Sequence, residues 1–88
     1  MEKEIKIIHR KLGQERAHGQ AFQDDRIIEI DSRLVGKKHL EVLIHELHHV
    51  LNPDFSETKI DQQAKEFAKY LWKQKYRKID DRIKQPSI

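Results

Sequence analysis

The stretch Leu40-Glu41-Val42-Leu43-Ile44-His45-Glu46-Leu47-His48-His49-Val50-Leu51 carries an apolar pattern and a polar one at the same time. On a helix turning about 100° per residue, Leu40, Leu43, Ile44, Leu47, Val50 and Leu51 fall within an arc of about 120°, the width of a core-facing stripe. His45 and His49 lie one turn apart on nearly the opposite side. The segment therefore reads as an amphipathic helix with two imidazoles stacked along one face.

Two histidines at i and i+4 can reach a single ion with bonds of about 2 Å, as a zinc ion bound from one helix requires. Glu46 sits about 80° round from the mean histidine direction, so its carboxylate can approach a water on that ion without displacing the ligands. That is the position of a general base. His48 points about 80° to the other side and reads as a partly exposed residue, or one that supports a ligand through a hydrogen bond.

Composition narrows the surroundings of this site. Eighty-eight residues with 36% hydrophobic and 38% charged side chains make one domain with a lean core, expected over 1–78. An ion joining two helices would then contribute to folding as well as to chemistry. There is no cysteine, so disulfides and Cys-type structural zinc sites are excluded and any metal must be held by His and carboxylate. No apolar run resembles a signal peptide or approaches the roughly 20 residues that span a bilayer, which leads us to expect a cytoplasmic protein without a membrane partner. The net charge of +3 is mild and its lysines are interspersed with acids, which argues against nucleic acid as a partner.

Taken in order, Glu4-Ile5-Lys6-Ile7-Ile8-His9 has the β-branched alternation of a first strand, ended by Gly13. Residues 16–23, the turn signal Asp24-Asp25 and Arg26-Ile27-Ile28-Glu29-Ile30 read as strand, tight turn, strand. The expected fold class is α+β, with a small three-stranded antiparallel sheet followed by an αα-hairpin. Gly19 marks a bulge or a place where another backbone comes close. His9 and His18 read as ordinary surface residues.

The motif helix is expected to start near Lys37 or Lys38 and to stop at Asn52-Pro53, because proline cannot continue the hydrogen-bond ladder. Ser56 is a suitable N-cap for a second helix, with Glu57 in its first turn. Ile60, Ala64, Phe67, Ala68, Leu71 and Trp72 form its apolar stripe. A connection of about five residues makes the helices pack as a hairpin, bringing the first turns of the second beside the histidines of the first. Glu57 and Asp61 then compete for the third metal position. The longer Glu57 side chain favours it on the metal, with Asp61 accepting a hydrogen bond from a ligand imidazole. The polar tail, 79–88, is expected to fray.

At these residues the chain resembles the zincin metallopeptidases, of the gluzincin type in which His-Glu-x-x-His is followed by Glu-x-x-x-Asp on a second helix. It is most similar to very small metallopeptidases of bacteria and their phages, in which a helix ending in the motif is followed by a Pro-containing turn, an acid and a helix ending in Leu-Trp. His45, Glu46, His49, Pro53, Glu57, Leu71 and Trp72 carry the likeness, which covers roughly residues 26–76. Asn52 and Phe55 stand where a metzincin needs its glycine and third histidine. The third ligand of the large gluzincins lies farther downstream than Glu57.

The resemblance implies Zn2+ on His45, His49 and Glu57, Glu46 as catalytic base, and hydrolysis of a peptide or protein substrate by activated water. It also implies that substrate lies antiparallel to an edge strand, for which Gly19–Phe22 is the candidate. With no second domain to deepen the cleft, a partner protein could complete the groove. The alternative from a different class is a small metal-stabilised binding module without catalysis, for a protein or nucleic-acid partner. Such a module would use the row Lys65, Lys69, Lys73 and Arg77, and its metal site would be closed by four protein ligands.

Overall fold

The structure, a computed structural model, describes residues 3–13 and 18–79. Three strands precede two helices: β1 (Lys6–Arg10), β2 (Gly19–Phe22), β3 (Ile27–Asp31), α1 (Gly36–Leu51) and α2 (Glu57–Lys73). The expected frayed tail, apart from Ile79, lies outside the described residues.

β3 is the most apolar strand and takes the centre of the sheet, giving the order β1-β3-β2. Its Ile28 and Ile30 are fully buried against Val42 and Val50 of α1. Glu29, which alternates with them, points to the other face. There it accepts two hydrogen bonds from Arg10, each 2.8 Å long, and one from Gln20 at 2.6 Å. These donors, Arg10 foremost, hold its carboxyl below the usual carboxylate range. The period-2 alternation thus separates a helix-covered face from a polar one.

The sheet is mixed, which corrects the expectation of an antiparallel one. β2 pairs antiparallel with β3 through the tight turn at Gln23–Arg26, where Arg26 adopts φ 52°. β1 pairs parallel with β3, Lys6 opposite Ile27 through Arg10 opposite Asp31. Successive strands alternate in direction, as in a meander, but β3 inserts between β1 and β2 instead of adding outside β2. The physical reason is burial. The centre of the sheet has neighbours on both edges, and the strand richest in isoleucine gains most from that place.

Asp31 fixes the passage from β3 into α1. Its carboxylate accepts from the Arg33 backbone N–H at 2.9 Å and from two nitrogens of the Arg33 guanidinium at 2.9 and 2.6 Å. The two helices then run antiparallel, α1 entering beside Trp72 near the end of α2. Ser56 caps α2 as the sequence suggested, its hydroxyl accepting from the Lys59 N–H at 3.1 Å. Ile60, Ala64 and Ala68 of α2 are fully buried. The small side chains of Ala64 and Ala68, one turn apart, let the helices approach closely beyond the larger Ile60.

Two features of the expected stripes are corrected. The buried line of α1 is His39, Val42, Glu46 and Val50, rotated about 90° on the helical wheel from the leucine stripe, and Leu51 is 54% exposed. The sheet covers that line, while Leu43 and Leu47 pack against its margin. On α2, Phe67 is half exposed. Among the described residues no helix is long and apolar enough to cross a membrane.

Candidate metal centre

The antiparallel hairpin brings the first turn of α2 against the histidine face of α1. The Nε2 atoms of His45 and His49 both point at the carboxylate of Glu57, 2.9 Å from Oε1 and 3.0 Å from Oε2. The imidazole rings are 5.0 Å apart and tilted by 55°, and both meet the same carboxylate. One ligand atom from each of the three residues lies within 4.8 Å of the others.

Ligand atoms on a tetrahedral zinc ion are spaced about 3.3 Å apart. The two imidazole-to-carboxylate contacts, at 2.9 and 3.0 Å, lie within a few tenths of an ångström of that spacing. The donor set, two imidazoles and a carboxylate, fits a divalent ion of intermediate softness. Among the described residues no fourth histidine, aspartate or glutamate joins the cluster.

Asp61 takes a different place. Its Oδ1 is 3.9 Å from Nδ1 of His45, too far for a hydrogen bond, and its other oxygen pairs with Lys65 at 3.0 Å. The hydrogen bond to Lys65 is the largest influence holding the Asp61 carboxyl below its ordinary range. Glu57 is the acid that meets both imidazoles, while Asp61 faces the far nitrogen of one of them.

Glu46 is buried, 8% exposed, at the side of this cluster. Burial raises its carboxyl above the usual carboxylate range; the charge of His45 lowers it and that of Glu57 raises it further. Its neighbour across the gap is β2. A Cβ placed on Gly19 would stand 2.9 Å from Cγ1 of Val42, 3.1 Å from Cγ of Glu46 and 3.2 Å from the carbonyl oxygen of Glu29. Gly19 thus permits a close approach, as one of its two sequence readings had it. The partner is the α1 side-chain surface together with a carbonyl of the adjacent strand.

Among the described residues β2 pairs with β3 alone, and the face of β2 at Gly19 lies against Glu46. The end of α1 is tied to the β2–β3 turn, where the Gln23 side chain donates to the carbonyl of His49 at 2.7 Å. His48 turns away from the cluster and meets the rings of Phe55 and Phe67 edge-on, at 6.4 and 5.5 Å. Burial, the largest cause, keeps the ring below the usual imidazole range, and Gln63 beside it acts in the opposite direction. His48 accordingly packs in the helix interface and has no contact with a ligand imidazole that would orient it.

His18 is exposed, as expected. His9 is exposed too, but it is not without a partner: its Nε2 lies 2.9 Å from Nε2 of His39, which is 95% buried at the start of α1. Nothing in the spacing of His9 and His39 signals this pair, because the parallel placement of β1 creates it. Comparison with protein-family models, curated proteins and solved structures gives no match.

Proposed function

We propose that the chain is a minimal cytoplasmic zinc metallopeptidase, with His45, His49 and Glu57 as ligands and Glu46 as general base. The observation that carries this reading is the convergence of both Nε2 atoms on Glu57, with the buried Glu46 alongside and no fourth protein ligand among the described residues. Three ligands and a vacant position characterise a catalytic zinc site, whereas structural sites are closed by four. Zinc, when bound, acidifies water and polarises a carbonyl oxygen.

The chain's own residues supply the rest. Burial raises the proton affinity of Glu46, which suits a base that takes a proton from water and returns it to the leaving amine. The outer edge of β2 offers backbone donors and acceptors to an extended peptide, and β-strand addition there would lay its scissile bond across the face shared by Glu46 and the histidines. A partner protein that deepens the groove belongs to the same proposal.

The non-catalytic binding module has less support. Lys65 is paired with Asp61, Lys69 and Lys73 lie over the ring of Tyr70, and Arg77 stacks on Trp72. Glu46→Gln separates the two readings. A zinc peptidase variant of this kind retains its zinc and its fold and loses peptide hydrolysis. Parental protein that binds zinc but cleaves nothing in a broad peptide library, alone or with cell extract, would overturn the enzymatic reading.

A further inference from the structure

A second polar cluster lies away from the metal centre, in a cleft of about 460 Å³ between β1, the first turns of α1 and the end of α2. Its apolar wall includes Ile7, Leu40, Leu43 and Trp72. His9 and His39 meet in it head to head: their ring centroids are 5.1 Å apart, nearly the longest spacing that a 2.9 Å contact between the two Nε2 atoms permits. One ring therefore donates an N–H directly to the other. Ligands of a metal ion would instead converge at an angle, as His45 and His49 do.

The charges in the cleft also argue against a cation. Lys78 and Arg77 line it, and among the described residues no acidic residue does. Arg77 is placed by its guanidinium stacking 3.4 Å above the ring of Trp72 and by hydrogen bonds from Nη1 to the carbonyls of Trp72 and Tyr76. Lys78 has no carboxylate partner among the described residues. Its charge reaches both imidazoles, and together with burial, the larger cause, it keeps them below the usual imidazole range. Among the described residues the cleft thus holds two cations, two imidazoles and an apolar wall with no anion to balance them.

We propose that this cleft binds a small monocarboxylate with an apolar body, its carboxylate held by Lys78 and Arg77 beside the His9–His39 pair and its body against Trp72 and Leu43. The site is separate from the metal centre and does not rest on the peptidase reading. Among the described residues the groups lining the cleft with the pair are Lys78, Arg77 and Tyr76 after α2, with no acid from β1 or α1. An arriving carboxylate supplies the missing negative charge and favours an imidazolium over a neutral pair. Affinity then rises as pH falls through the imidazole range.

The test is titration of the full-length protein with 3-phenylpropionate and with 3-phenylpropanamide, following the fluorescence of Trp72, the chain's single tryptophan. The expected result is saturable binding of the acid, with the amide weaker by at least about tenfold. Lys78→Met weakens the acid to a similar degree without changing the thermal melt, and His9→Phe removes the pH dependence while binding at alkaline pH persists. Equal affinity for acid and amide, an unchanged Lys78→Met, or no saturation by the acid below about 20 mM overturns the proposal.

Discussion

Replacing Gly19 by alanine probes how tightly β2 is held against the helix that carries the site. The added Cβ would stand 2.9 Å from Cγ1 of Val42, where carbon atoms normally rest about 3.5–4.0 Å apart. Val42 must therefore retreat by at least about 0.6 Å. Retreat of the strand is opposed from the other side, because the Glu29 carbonyl of central β3 would lie only 3.2 Å from the same Cβ. Val42 is itself buried against Ile28 and Ile30, so the strain passes into the core. Overpacking of this kind costs about 1–3 kcal/mol. For a domain of this size that lowers Tm by about 4–20 °C, measured by circular dichroism on metal-free protein. Because Cγ of Glu46 would be 3.1 Å from the same Cβ, hydrolysis should fall by more than the change in folded fraction explains. A variant that melts within about 2 °C of the parent would refute the close approach of β2 to α1.

Glu57→Ala should lose zinc affinity by more than about 100-fold, whereas Asp61→Ala should lose about 10-fold, because Asp61 only faces a ligand imidazole at 3.9 Å and is shared with Lys65; competition with a chromophoric chelator measures both. The reverse order would make Asp61 the ligand. Glu46→Gln should raise the Tm of the metal-free protein at neutral pH by about 2–6 °C, since it removes a charge from a buried position, even as it abolishes catalysis. A lower Tm would mean that the Glu46 carboxylate holds the fold together. Asp31, whose carboxyl Arg33 keeps well below its ordinary range, contributes stability that is fully present above the unfolded value near about 4 and is lost as pH falls through the depressed folded value. Asp31→Asn should thus lower Tm at neutral pH and flatten the acid side of the stability profile, which parallel acid titrations followed by circular dichroism would check.

Much of the site was legible because its determinants are local. The i, i+4 histidines, the Pro53 turn and the Ser56 cap each follow from neighbouring residues, and together they bring Glu57 to the imidazoles. The sheet was less legible because strand order depends on competition for the centre, and nothing inside β1 says whether it will neighbour β2 or β3. That one topological choice also creates the His9–His39 contact, which joins residues 30 apart in the chain. The buried line of α1 was misplaced for a related reason. A helix covered by a sheet on one side and by a second helix on another has two apolar directions, and the leucines mark only one of them.

The most direct test of the central claim is the crystal structure of the zinc-loaded protein. The account predicts about one zinc ion per chain, bound by Nε2 of His45, Nε2 of His49 and the carboxylate of Glu57, with a fourth position open to solvent beside Glu46. An ion closed by a fourth protein side chain, or one bound elsewhere with His45 and His49 still on Glu57, would contradict it.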